Sequence, residues 1–315
     1  MNKYPNAQGN ESFANLLPSQ YLTIAFAIQL SYGVPSIIRY VLIISNLLSS
    51  PSYKITFYKL FIFDGYINIC AFIFHMCNRL IETGLFPRLI IWFPQGTPVC
   101  VVFFLKTYFS YLPNFSILAI SFNRFTSTSL GLAYDKFWKR NINKFIVLII
   151  ILPLPFTWQL LFAEVYYTGY REGGFTLAYY QTISWPRNVT IATIVTTFTA
   201  LTTVIFTVAT LSRLRYIKSA SVRVVEKRLL TITEILAMSL IGQFTIEILY
   251  TTNLIRFVPA EYLSVVYLLR PFSVDLSLLS PPWIMHFLLS KNSCRTSQDT
   301  SKSQTPPIFI KQTAF

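Results

Sequence analysis

The chain has 315 residues and a formal net charge of +14, yet only 12% of its residues are charged, 53% are hydrophobic, and its mean hydropathy is +0.51. Water-soluble domains carry roughly 25% charged residues. A soluble globular fold is therefore excluded, and with it the nucleic-acid binding that so basic a soluble protein would invite.

Seven apolar stretches span about residues 22–48, 56–77, 99–122, 144–166, 189–212, 229–255 and 262–290. A helix needs roughly 20 mostly apolar residues to cross the hydrocarbon core, where backbone N–H and C=O groups find no water and must bond within the helix. The pattern predicts an all-α integral membrane bundle of seven transmembrane helices over residues 22–290, with tails at 1–21 and 291–315.

The first 20 residues are polar, with no basic stretch leading into an apolar one. No cleavable signal peptide is expected, and the first helix acts as its own insertion signal. With the N-terminus outside, 17 Lys and Arg residues fall on the inner side and 6 on the outer, while Arg39, Lys106 and Arg270 lie within spans. Short loops follow the positive-inside rule, so an outer N-terminus and a cytosolic C-terminus are predicted. Two Asn-x-Ser/Thr sites, at Asn10 and Asn188, then lie outside as candidates for glycosylation. A third, Asn114-Phe115-Ser116, lies within the third span, out of reach.

Along the spans, Cys70 reads as a buried core thiol. Cys77 and Cys100 lie near the outer ends of the second and third helices and are a candidate disulfide, whose geometry sequence does not fix. Cys294, just past the last span, is a candidate for palmitoylation or an unmodified thiol. Lys106, Glu247, Tyr250, Tyr267 and Arg270 occupy the outer halves of helices three, six and seven. Facing inward they would line a polar ligand cavity, with Glu247 pairing to Lys106 or Arg270; a salt bridge that never meets ligand is the plainer reading. Thr196, Thr203, Thr207 and Thr210 share one face of the fifth helix, where such hydroxyls usually bond their own backbone. His75 and His286 are far apart, and no metal-ligand spacing, phosphate loop or nucleophile motif occurs, so no cofactor, metal or enzymatic activity is expected.

The third helix ends in Asn123-Arg124-Phe125-Thr126-Ser127, and Tyr134-Asp135-Lys136-Phe137-Trp138 follows. Arg124 is partly explained by snorkelling and by the negative end of the helix dipole. In a seven-helix chain this triplet also resembles the Asp/Glu-Arg-Tyr position of G-protein-coupled receptors. The longer pattern resembles the nematode serpentine chemoreceptors of the Srg superfamily, gamma and V types. So do Phe57-Tyr58-Lys59-Leu60-Phe61 in the second helix, and Arg270-Pro271-Phe272-Ser273-x-Asp275 with Leu279-Ser280-Pro281 in the seventh. The resemblance covers about residues 15–292.

It implies a plasma-membrane chemoreceptor, in sensory cilia by resemblance alone, that couples a small-molecule cue to a heterotrimeric G protein. The protein would dock on the basic third inner loop and the end of helix six, where anionic lipid headgroups also bind. Arg124 would be the switch residue, held at rest by a carboxylate, Glu234 rather than Glu226. Asp64, Asn68, Asp275 and Ser280 would form a central polar cluster; interhelical hydrogen bonds of purely structural role are the alternative.

Four departures stand out. Asn123 replaces the usual acidic neighbour of the Arg, Leu130-Gly131 stands where the family often has Pro, the outer loop at 167–187 has no Cys, and helix six has no Pro. A ligand-gated channel or transporter is the alternative function. The seven-helix odorant channels have an inner N-terminus, which here would place the 17 basic residues outside.

Overall fold

The computed structural model describes residues 19–49, 56–83, 85, 97–169, 175–180, 182–183, 186, 188–216, 220–251 and 268–287. Helix α1 is Ser19–Ser49, α2 Thr56–Thr83, α3 Thr97–Ser129, α4 Ala133–Ile151, α5 Asn188–Leu214 and α6 Ala220–Thr251; residues 268–287 form α7. Among the described residues six segments are long and apolar enough to cross a membrane, and α7 makes the seventh helix of the bundle.

Isoleucine, leucine, valine and phenylalanine side chains face outward along most of these helices. On α1 alone Ile24, Ile28, Val34, Ile38, Val41 and Leu42 are exposed. Water would not tolerate so continuous an apolar surface on a monomer; lipid tails do. Helices in lipid then gain little from burying more apolar surface, and close packing and buried polar bonds hold them together. Gly33 of α1 lies directly against the Phe72 ring of α2, and Gly65 of α2 lies against Ile44 and Tyr40 of α1, so a larger side chain at Gly33 would displace that ring and one at Gly65 would push on the tip of Ile44.

The largest buried cluster surrounds Trp138 and joins Phe57 and Phe61 of α2, Ile120 of α3, Leu236 of α6 and Met285 of α7. Trp138 is fully buried, with Phe145 at 4.8 Å and Phe122 at 6.0 Å between ring centroids.

Helices α1, α2 and α5 fall close to the predicted spans. The third and sixth extend further, and Asn123 and Arg124 lie inside α3, which runs on to Ser129. The fourth differs most. It begins at Ala133, not near 144, because Tyr134, Trp138 and Ile142 recur at helical spacing and bury one face even where Lys136, Lys139 and Arg140 are exposed. Pro153 and Pro155 then break it, giving a single helical turn at Leu154–Thr157 and a 3-10 turn at Trp158–Phe162.

The chain next forms a hairpin where an irregular outer loop was expected. Strands β1 (Glu164–Gly169) and β2 (Phe175–Tyr180) pair antiparallel, Glu164 opposite Tyr180 and Gly169 opposite Phe175. Val165, Leu177 and Tyr179 pack on Val99, Cys100 and Phe103 in the first turns of α3. The hairpin thus caps the end of the bundle that holds Lys106.

Candidate functional site

At one end of the bundle, Arg124 is 2% exposed. Its Nη2 donates to Asn123 Oδ1 at 2.9 Å, and its guanidinium lies 4.3 Å from the centroid of the Phe57 ring of α2. Asn123 Nδ2 in turn donates to Tyr134 Oη at 3.0 Å, and Trp138 Nε1 donates to Thr126 Oγ1 at 2.8 Å. The Asn-Arg-x-Thr…Tyr-x-x-x-Trp pattern is therefore one hydrogen-bonded unit that ties the end of α3 to the start of α4 and presents the Arg124 charge to an aromatic face.

No ion pair joins Arg124 to Glu234, which is half-buried on α6. Asn123, one residue away, offers its amide oxygen to the guanidinium directly. The side chain of Glu226 lies outside the described residues.

At the other end, Arg270 Nε and Nη2 donate to Glu247 Oε1 and Oε2 at 2.8 and 3.1 Å, a bidentate pair between α7 and α6. Of the two partners expected for Glu247, Arg270 is the one it takes. Arg79 pairs with Glu82 at 2.6 Å, and Asn78 Nδ2 donates to the same carboxylate at 2.6 Å. Lys106 is half-buried on α3 and makes no ion pair or side-chain hydrogen bond among the described residues. Tyr267 and the side chain of Tyr250 lie outside the described residues.

The expected cluster of Asp64, Asn68, Asp275 and Ser280 separates into two networks, each tied to α1. Asn68 Nδ2 donates to Asp64 Oδ2 and to Tyr40 Oη, both at 2.9 Å, and Tyr40 Oη donates to the Leu278 carbonyl at 2.8 Å. Asp275 Oδ2 instead accepts from Gln29 Nε2 at 2.8 Å and Tyr32 Oη at 2.5 Å. Ser280 Oγ joins neither. Trp283 Nε1 donates to Ser36 Oγ at 2.8 Å, and Arg39 stacks on the Trp283 ring at 4.7 Å. Gln29, Tyr32, Ser36 and Tyr40 recur at spacings of 3, 4 and 4, one stripe of α1. That periodicity was the signal for the residues sequence reasoning missed.

A narrow cleft between α2, α3, α6 and α7 is lined by His75, Phe109, Ser110, Asn114, Gln243 and Leu278, among others. His75 Nε2 and Ser110 Oγ are 2.9 Å apart. Asn114, 2% exposed, has its Nδ2 without a partner. On the threonine face of α5, Thr207 and Thr210 bond their own backbone, to the Thr203 carbonyl at 2.8 Å and the Phe206 carbonyl at 2.6 Å, whereas the buried Thr203 hydroxyl does not.

Cys77 and Cys100 are both free thiols and do not form the candidate disulfide. Cys77 is exposed, whereas Cys100 is buried beneath the turn before β1, with its Sγ donating to the Ala163 carbonyl at 2.6 Å. Asn188 is half-buried as the first residue of α5, and its Oδ1 accepts from Tyr111 Oη at 2.7 Å, so this glycosylation candidate is engaged in packing. Asn10 and Cys294 lie outside the described residues.

A multi-pass helical bundle with a buried Asn-Arg pair at one end and a charged, cleft-bearing other end has the architecture of a serpentine membrane receptor. The Srg family chemoreceptor model matches residues 26–292, and the chain belongs to that family. It is similar to serpentine receptor class gamma-10 of Caenorhabditis elegans, 25% identical over 249 residues that cover 74% of this chain and 73% of that one. It is also similar to class gamma-5 of the same organism, 25% identical over 285 residues covering 84% and 81%, and over a shorter stretch to class gamma-13, 30% identical over 104 residues covering 33% and 31%. The protein is thus a chemosensory seven-transmembrane receptor.

Proposed function

We propose that this receptor sits in the plasma membrane with its N-terminus outside and couples a small-molecule cue to a heterotrimeric G protein, with no enzymatic step of its own. The observation that carries the reading is the buried Asn123–Arg124 pair at the base of α3, where a cation under an aromatic face is available to reorganise. The opposite end, with the Glu247–Arg270 pair, Lys106 and the cleft beside His75, is the ligand side. A ligand that binds one helix arrangement better than another shifts the population toward it, and the change at Arg124 is read by the G protein. The 17 basic residues predicted on the inner side supply attraction for an acidic partner surface and for anionic lipid headgroups. Orientation, tails and glycosylation at Asn10 belong to the same proposal.

The test is expression of the full chain in heterologous cells, a screen of volatile and water-soluble organic compounds, and a second-messenger readout against mock-transfected cells. A response lost on G-protein blockade supports the proposal. A compound-gated current that survives the blockade contradicts it in favour of a channel, a reading that no observation on the molecule favours.

A further inference from the structure

Two opposite charges on the membrane-spanning helices face outward with no counter-ion among the described residues. Arg39 of α1 is half-exposed beside the exposed Ile38 and Leu42. Its guanidinium stacks on the Trp283 ring of α7 and makes no hydrogen bond or ion pair among the described residues. Glu234 of α6 is half-buried and likewise unpaired among them. Glu234, Met238, Ile241 and Thr245 recur at spacings of 4, 3 and 4, and the last three are exposed, so the carboxylate belongs to the lipid-facing stripe of α6. A charge at membrane depth is costly and is kept where a partner meets it.

Lipid headgroups are poorly placed to meet Arg39. It lies five residues from the middle of α1, about 7.5 Å along the axis. With α1 centred in the bilayer, the headgroup layer begins about 15 Å from the middle. Snorkelling across the remainder is opposed by Trp283, which is itself bonded to Ser36, a turn of α1 further from that edge.

The two charges match in depth. Helices α6 and α7 run antiparallel past each other: Arg270 pairs with Glu247, and Ser277 Oγ lies 3.5 Å from Gln243 Oε1. Nine residues on from that second contact along each helix, Glu234 comes level with His286, about 4.5 Å beyond Trp283 and the Arg39 stacked on it. Both side chains are long enough to close that step. Helix α7 stands between α1 and α6, bonded to both, and turns the exposed Leu276 and Phe287 to the lipid. A two-fold axis along the membrane normal, passing the outer face of α7, preserves depth and exchanges the two flanks, so it brings each charge to its opposite on the second copy.

We propose that two copies of this receptor pair in the membrane through the outer faces of α1, α7 and α6, with Arg39 of each copy in an ion pair with Glu234 of the other. Neither residue bonds to Arg124, so assembly is read apart from coupling.

The test is energy transfer between donor-labelled and acceptor-labelled full chains in phosphatidylcholine vesicles, which needs neither ligand nor G protein. The wild type should exceed the transfer set by random proximity at the same protein-to-lipid ratio. Arg39→Glu alone and Glu234→Arg alone should each fall to that random level, because like charges then meet twice. Donor-labelled Arg39→Glu mixed with acceptor-labelled Glu234→Arg should recover the wild-type transfer, since both pairs are again opposite. The double variant should associate with itself and not with the wild type. Thermal unfolding shows which variants are folded. Should a reversal fail to fold, Arg39→Gln and Glu234→Gln carry the test, each expected to lower the transfer. Wild-type transfer at the random level, or charge variants that transfer as the wild type does, would overturn the proposal. A mixture of folded reversals that stays at the random level would overturn it too, and would give Arg39 to another partner such as a different membrane protein.

Discussion

Arg124 is bound by its own sequence neighbour: Nη2 donates to Asn123 Oδ1 at 2.9 Å inside α3. A neutral acceptor binds a cation more weakly than a charged one, since charge-assisted bonds are about twice as strong. Asn123→Asp should therefore tighten the resting hold and lower ligand-free signalling. Asn123→Ala, which also removes the bond to Tyr134, should raise it. Glu234→Gln, which breaks no bond to Arg124, should leave it at the wild-type level. Basal second messenger, normalised to surface expression, checks all three, and a rise with Glu234→Gln would restore the carboxylate hold.

Trp138 is fully buried and its one polar atom is satisfied by Thr126. Trp138→Phe keeps most of the ring but removes the bond to the Thr126 hydroxyl, which still donates to the Phe122 and Asn123 carbonyls; the expected loss is about 1 kcal/mol. Trp138→Ala opens a cavity beneath α2, α3 and α4 and should cost about 3–5 kcal/mol. Thermal unfolding in detergent ranks them, and Trp138→Phe as damaging as Trp138→Ala would mean that the hydrogen bond outweighs the packing.

The bond from Tyr32 and Gln29 to Asp275 fastens α1 to α7. Interhelical polar bonds in membranes are worth about 0.6 kcal/mol on average and up to about 1.7. Asp275→Leu should destabilise more than Tyr32→Phe or Gln29→Leu, since it removes both bonds at once. The double variant Asp275→Leu with Tyr32→Phe should add little to Asp275→Leu alone. Additive losses in that cycle would show that Tyr32 works through other neighbours.

How much of this was legible in the sequence differs by element. The spans of α1, α2 and α5 were readable because their apolar runs are bounded by polar residues, and an ion pair of Glu247 with Lys106 or Arg270 because opposite charges within one membrane depth need each other; which of the two it takes was not. The start of α4 was not, since Lys136, Lys139, Arg140 and Lys144 mask the buried face of Tyr134, Trp138 and Ile142, and hydropathy averages over faces. The hairpin at Glu164–Tyr180 was read as loop because six-residue strands leave little periodicity. Asp275 was grouped with Asp64 on the resemblance and on depth, and only the Gln29–Tyr40 stripe reveals that the two carboxylates belong to separate networks, Asp275 bonded to α1 directly and Asp64 through Asn68.

The free thiols and the engaged Asn188 lead to a biochemical prediction. Alkylation of the unreduced protein followed by intact mass should find Cys77 reactive and Cys100 protected until unfolding, with no change of gel mobility on reduction. Glycosidase should remove one glycan, lost in Asn10→Gln and kept in Asn188→Gln. A mass shift in Asn188→Gln would mean that the Tyr111 bond yields to the glycosylation machinery.

The account stands most directly on Arg124. Agonist-driven recruitment of a Gα subunit to the full-length receptor in intact cells, measured for wild type and Arg124→Ala at equal surface expression, tests it. The predicted result is recruitment by the wild type and its loss in Arg124→Ala. Undiminished recruitment by Arg124→Ala would contradict the assignment of the buried Asn123–Arg124 pair as the coupling switch.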